Sequence, residues 1–248
     1  MPRLGIIKMS TPSSAPSYSL NRLLASLPCD ELTALQPHLE QVSLSHGQVI
    51  ISPEEPIPFA YFPLNALLSL VTLMEDGSTV ESGSIGREGM AGLPILLDAG
   101  TTPMRTLTQI PGEAIRINAK ILKEAFNKGG ALQKTLHRYI HTTIVLGSQT
   151  AACNRFHHLE ARLCRWLLMS SDGVGKEEFF LTHEFLGTML GVRRAGVSEA
   201  ASQLQSKGLI RYQRGRIQIV DRKSLETAAC ECYGVVKAEY ERLFGSEK

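Results

Sequence analysis

A chain of 248 residues, 43% hydrophobic and 20% charged, has room for one large domain or two ordinary ones and the composition of a globular protein. It contains no run of eighteen apolar residues and no apolar segment behind Arg3 and Lys8, which excludes a membrane-spanning helix and argues against a secretory signal. A net charge of +2 does not by itself indicate a nucleic-acid partner, and five scattered cysteines fit a reduced cytoplasmic protein with no disulfide framework and no membrane partner.

Pro2, Pro12 and Pro16 among several serines predict a disordered lead-in over residues 1–18. Leu20, Leu23, Leu24 and Leu27 are spaced for one helical face and Pro28 stops that piece, so residues 18–39 read as short helices. From about Val42 to Ile117 short β-rich runs alternate with turn residues, at 48–51, 60–63, 67–74, 79–84, 105–110 and 114–117. Asp76 and Gly77, between two of these runs, read as a hairpin turn, because glycine accepts a positive φ without a Cβ clash. Strands this short and frequent predict an antiparallel β-roll, or jelly roll, as a sensor domain over residues 19–130.

The pattern then becomes helical. No proline falls between Ala131 and Met169, and Leu132, Leu136, Tyr139, Thr143, Leu146, Thr150 and Cys153 recur at alternating four and three. That heptad spacing predicts a dimerisation helix over residues 131–170, with packing on the chain's own β domain an equally simple reading of its first half. Ser171, Asp172, Gly173, Val174 and Gly175 read as a linker and domain boundary. Beyond it, residues 176–248 hold a short strand at 178–181, two short helices, a hairpin and one closing helix over 224–244. The expected fold class is therefore α+β.

Charge is concentrated in this last domain. Residues 178–223 carry eight Lys or Arg against four acids, a net +4 that leaves −2 for the remainder; a local positive field is what attraction to phosphates requires. Thr182 is a candidate N-cap, Phe185, Leu186 and Met189 one apolar face, and Gly191 the residue of a sharp turn. A second helix from about Arg193 to Lys207 has Val197, Ala200, Ala201 and Leu204 inward and Arg193, Arg194, Ser198, Glu199, Ser202 and Gln203 outward, side chains of a length to reach phosphates or base edges. Gly208 ends it, and Arg214 and Gly215 join two strands into a basic wing that includes Arg216. With Thr182 and His183 at the start of the first helix, these are the expected DNA contacts, on double-stranded DNA.

Residues 182–210 and the wing resemble the DNA-binding domain of the Crp/Fnr family of bacterial regulators. The order of β-roll, long helix and winged helix-turn-helix is similar too, as are residues 44–47 and 84–92, so that the resemblance covers roughly residues 20–220. It implies a homodimer on a near-palindromic operator, RNA polymerase as a partner, and a β-roll that holds an effector or senses a signal. Arg194 matches the first arginine of the family's Arg–Glu–x–x–x–Arg recognition pattern, while Ala195 and Glu199 depart from it. In cyclic-nucleotide-binding members a Gly-Glu-Leu segment and an Arg-Ser/Thr pair hold the ligand. The resemblance therefore marks Glu88, Arg105, Thr106 and, on the long helix, Ser148 as candidate effector residues. Arg87 and Gly147 break the set, so a cyclic nucleotide is not the favoured cofactor and none is assigned.

Metal chemistry is not expected. Cys230 and Cys232 form a lone C-x-C with no second pair, and the pairs His137/His141 and His157/His158 have no carboxylate partners in the sequence pattern. An enzyme of cupin type fails on ligand count, since His46 is the one histidine between Val42 and Ile117. A cyclic-nucleotide-dependent regulator, or a module whose helix-turn-helix meets protein in place of DNA, remain the alternatives; the basic wing argues against the latter.

Overall fold

The polypeptide enters the fold through short helices. A 3₁₀ turn (Tyr18–Leu20) leads into α1 (Arg22–Ala25), and Pro28 stands at the start of α2 (Cys29–Leu35). The structure, a computed structural model, describes residues 18–245, so the lead-in expected over residues 1–18 lies outside the described residues except for Tyr18. Asn21 is fully buried. Its Oδ1 accepts from the Leu23 and Leu24 amides while its Nδ2 donates to the carbonyls of Pro63 and Gly89. One side chain thus caps α1 and ties it to the β domain, satisfying amides that a helix start leaves orphaned.

Seven strands follow: β1 (Glu40–Leu44), β2 (Val49–Ile51), β3 (Phe59–Pro63), β4 (Leu67–Leu73), β5 (Thr79–Ile85), β6 (Arg105–Ile110) and β7 (Gly112–Asn118). They form two antiparallel sheets, β1-β7-β3 and β2-β6-β4-β5, with the short α3 (Leu93–Leu96) between β5 and β6. β1 was not among the expected strands. Only Leu44 of its five residues is buried, and an edge strand held by ion pairs such as Arg116–Glu40 carries little apolar alternation. In the β4–β5 turn Gly77 has φ +81° and the Asp76 carboxylate accepts from the Ser78 amide at 2.8 Å.

Phe62, Leu68, Ile115 and Ile117 fill the space between the sheets. Leu23 and Leu24, Leu122 of α4 (Ala119–Asn127), and Leu132, Leu136 and Tyr139 of α5 (Gly130–Phe156) close that core. α5 begins at two glycines, and its first free amides, Ala131 and Leu132, donate to the Glu31 carboxylate of α2 at 2.7 and 2.8 Å. A carboxylate at the positive end of a 27-residue helix is favourable electrostatically as well as by hydrogen bonding.

Three expectations need correction. The long helix is broken: His157 and His158 are both extended, and α6 (Leu159–Val174) starts afresh. α5 serves the β-roll core and α6 a second core, and one straight rod could not face both. The expected linker is the last turn of α6; Ser171 and Gly173 are buried in it. Gly173 lies so close to the roll that a Cβ on Gly86 would meet its Cα, and the Gly173 carbonyl accepts from the Arg87 amide at 2.9 Å. These glycines allow two backbones to touch. The heptad set, finally, is not free to meet another molecule: Leu132, Leu136, Tyr139, Leu146, Thr150 and Cys153 are buried within their own chain.

The remaining elements are β8 (Glu178–Phe180), α7 (His183–Leu190), α8 (Arg194–Ser206), β9 (Ile210–Gln213) and β10 (Arg216–Ile219), the strands ordered β8-β10-β9. The closing helix is two helices, α9 (Arg222–Ala228) and α10 (Cys232–Phe244), because the chain turns at residues 229–231 to bury Cys230 and Cys232. α10 runs back antiparallel along α5, with His141 on Glu239 and Gln149 on Cys232. Leu163, Trp166 and Leu167 of α6 pack with Leu186, Val197, Leu204 and Leu225 and, from the roll, Leu67 and Val71. The second core is thus continuous with the four-stranded sheet.

Candidate nucleic-acid interface

The helix-turn-helix is assembled by local chemistry. The Thr182 hydroxyl accepts from the Phe185 amide at 3.2 Å and starts α7. Gly191 ends it in the left-handed region at φ +65°, and Arg162 Nη2 donates to the otherwise terminal carbonyl of Leu190. Three residues later α8 begins, with Val197, Ala200, Ala201 and Leu204 buried against α6 and α7. Gly208, at φ +73°, closes it. The wing turns at Arg214 (φ +48°) and Gly215 (φ +82°), two consecutive positive φ values of the kind that tight hairpins require.

The structure places the expected contact residues unequally. Arg193, at the N-cap of α8, and Arg194, Glu199 and Gln203 within it are exposed, and Arg214 is exposed at the wing tip. Arg211, which was not among the expected contacts, is exposed on β9. Arg216 is also exposed, but its Nη1 is paired with Glu178 at 3.0 Å. His183 and Ser198 are engaged inside the domain. The His183 ring lies 4.1 Å from that of Tyr212, nearly parallel to it, and its Nδ1 is 2.8 Å from Ser198 Oγ. Burial, and next the Arg194 charge, push its pKa below the usual histidine value, so it braces α7 against α8 and the wing as a neutral ring. No sequence signal marked Tyr212 as its partner.

The positive field is narrower than the charge count suggested. Arg222 is held by Asp172, Glu177 and Glu226 and Lys207 by Glu160. Arg193, Arg194, Arg211, Arg214 and Lys223 remain exposed, without a salt bridge among the described residues. They lie on α8, on the wing, and just past it. That is a surface of arginine forks, the groups that bind phosphates and guanine edges best.

The candidate effector residues are not brought together. Glu88 lines a cavity of about 240 Å³ with Arg22, Asp172, Tyr233, Lys237 and Tyr240; its carboxylate accepts from the Gly86 amide at 2.8 Å, and burial raises its pKa. Thr106 is buried within the sheet, where it pairs with Leu70 and Ile51, and Arg105 pairs with Val71. Ser148 is exposed on α5. Where the roll meets α5 and α6 the remaining space is about 20 Å³, lined by Glu81, Leu146, Arg165 and Trp166 among others, well below the several hundred Å³ usual for a ligand. Ser69 Oγ at 2.6 Å and Trp166 Nε1 at 3.0 Å donate to Glu81, whose pKa burial pushes up to about 7.

Two of these histidines do have carboxylates, contrary to expectation: Glu239 lies 2.8 Å from His141 and Glu231 3.1 Å from His157. The C-x-C is not alone in space either, because Cys153 and His157 lie against it.

A family model described as a Crp-like helix-turn-helix domain matches residues 161–228. The chain carries a Crp-like helix-turn-helix domain. Whole-chain comparison extends the likeness to the fold of Crp/Fnr regulators. FixK2 from Bradyrhizobium japonicum superposes with a TM-score of 0.64 at 15% identity, over 77% of this chain and 98% of that one. The c-di-GMP responsive global regulator CLP of Xanthomonas campestris gives 0.63 at 14%, over 78% and 100%. A CRP-family transcriptional regulator from Thermus thermophilus gives 0.60 at 19%, over 77% and 96%. Among curated protein sequences there is no significant match. The Crp-like helix-turn-helix domain makes the chain a DNA-binding transcription regulator, and the solved structures show that its α+β roll-and-helix fold is one that such regulators have. Among the described residues no helix is long and apolar enough to cross a membrane.

Proposed function

We infer that this Crp-like regulator reads a near-palindromic operator as a homodimer in the cytoplasm. α8 lies in the major groove, and the wing sits on the flanking phosphates. The observation that carries this reading is the exposure of Arg193 and Arg194 at the start of α8 and of Glu199 and Gln203 further along it, with Arg211 and Arg214 exposed on the wing. Arg194 is suited to a guanine and Glu199 to a cytosine N4, whereas Arg214 is suited to phosphate. Arg216, already paired, contributes less, and Thr182, His183 and Ser198 position the two helices. Selection of bound fragments from random DNA, followed by salt titration, tests it. A recurring two-fold half-site with a steep salt slope is expected, and indifference to sequence at every salt concentration would refute it.

The dimer surface is the side of α5 that its own chain leaves open. Ile144 is 63% exposed and Phe156 76%, and Ser148 and Ala151 share that side at helical spacing. RNA polymerase is the partner through which a bound dimer acts. The signal is not a cyclic nucleotide: the separation of Arg105 and Thr106 from Glu88 and Ser148, and the filled space beside α5, favour DNA binding that needs no cyclic AMP. Calorimetry with cyclic AMP checks this, and a dissociation constant near ten micromolar or below, lost in Arg105→Ala, would overturn it (about −7 kcal/mol of binding).

A further inference from the structure

Cys153 and His157 stand one turn apart at the end of α5, and His157 is the residue at which α5 stops. Cys230 and Cys232 stand in and just after the turn between α9 and α10. Folding across 77 residues brings Cys153 Sγ to 3.5 Å from Cys230 Sγ, and Cys232 Sγ to 3.5 Å from His157 Nδ1. All four ligand-type atoms lie within 4.8 Å of one another. A tetrahedral zinc ion with Zn–S bonds of about 2.3 Å and a Zn–N bond of about 2.0 Å sets its ligands roughly 3.5–3.8 Å apart. The cluster is near that size before any ion contracts it.

The surroundings have the chemistry of a metal site. The three cysteines are 0–7% exposed, so thiolates there need a compensating cation. Glu231 Oε2 is 3.1 Å from His157 Nε2. A carboxylate on the far nitrogen leaves Nδ1 as the lone-pair donor aimed at the cysteines, the outer-shell arrangement that orients ligating histidines. Gln149 Nε2 lies 3.1 Å from Cys232 Sγ, placed to donate to a thiolate. Arg165, 8% exposed, has an Nη1 with no hydrogen-bond partner, as has Nε of Arg162. Both guanidiniums interact with the Cys153 charge. Three thiolates around a dication leave one excess negative charge, which these arginines can meet.

We propose that Cys153, His157, Cys230 and Cys232 form a Cys₃His site for one Zn²⁺ per chain. On binding, the three thiols release their protons and four coordinate bonds form, with no change in oxidation state. Thiolate and imidazole donors in a tetrahedral set select this soft, d¹⁰ dication over calcium or magnesium. The ion fastens the end of α5 to the α9–α10 turn, beside the break at which α6 departs. This holds whether or not the chain binds DNA as proposed above.

The test uses the full chain, purified with reductant, stripped by chelator and titrated with Zn²⁺ and Co²⁺. One equivalent of Zn²⁺ is expected, with a raised unfolding midpoint, and the Co²⁺ form should show thiolate charge-transfer absorption and intense tetrahedral bands. Cys153→Ser and Cys230→Ser should abolish this, while Cys29→Ser and Cys164→Ser, outside the cluster, should leave it intact. His157→Gln and Glu231→Gln act on more exposed positions with little risk to folding. The first should remove the nitrogen ligand and the second should weaken zinc binding about 10–100-fold. Several results would overturn the proposal: no zinc above the Cys230→Ser level, weak octahedral cobalt spectra, an iron–sulfur chromophore, or a Cys153–Cys230 disulfide formed under reductant in place of the metal.

Discussion

Arg194 projects from the first turn of α8 with no salt bridge of its own, while Arg216 across the wing is already paired with Glu178. Free, exposed guanidiniums read bases, and paired ones add mainly field. Arg194→Ala should therefore cost about 1–3 kcal/mol on the preferred operator and relax its sequence preference, whereas Arg214→Ala should weaken operator and random DNA alike. Anisotropy titrations on both DNAs separate these outcomes, and equal losses for Arg194→Ala would contradict base reading. Glu81 makes a prediction of another kind. Its folded pKa is raised from 4.5 to about 7, first by burial, so between those values the folded state holds more proton than the unfolded state. Stability should fall as pH rises through that window, by at most roughly 3 kcal/mol. Urea unfolding of Glu81→Gln should lose this slope, and an unchanged slope would place it elsewhere. Of these residues Arg194 was legible from the chain, because a recognition helix has a periodic outer face. Glu81 was not, since its burial depends on Trp166 arriving from α6.

Local signals served well wherever an element is bounded by its own residues. Thr182, Gly191 and Gly208 mark the helix-turn-helix because capping and positive φ are decided within a few residues. They failed for the break at His157 and His158, which contains no proline or glycine and exists because α5 and α6 serve different cores. They failed equally at residues 229–231, where burial of two cysteines divides the closing helix. The same contrast gives a paired expectation. Gly191→Ala places a Cβ at positive φ and 3.3 Å from Val80, and should cost about 1–2 kcal/mol. Gly234→Ala lies in open space within α10 and should gain about 0.5–1 kcal/mol from helix propensity. Urea midpoints of the two variants should move in opposite directions.

For the whole molecule, heptad spacing in α5 was legible, but its partner was not. A seam of Leu132, Leu136, Tyr139 and Leu146 is equally suited to a second subunit or to the chain's own roll and returning helix. The structure gives it to the latter. Leu146→Glu should therefore unfold the chain by burying an unpaired charge. Ile144→Glu, at a 63% exposed position, should leave the thermal midpoint nearly unchanged and shift the proposed dimer toward monomer in sedimentation equilibrium. A fully dimeric Ile144→Glu would move the interface off this side of α5.

α10 follows the helix-turn-helix in the chain, yet Tyr240 and Phe244 pack on the first core and its residues flank the cavity against Arg22 and Glu88. The β-roll and α5 therefore leave the exit tunnel with part of α5 uncovered and wait for α10 before that surface is shielded. Folding of the roll is completed only after synthesis of α10, and a chain cut before α10 exposes an apolar helix face to whatever else is nearby. A regulator built this way has a quality check in its topology: only a copy that includes α10 can finish its own β-roll.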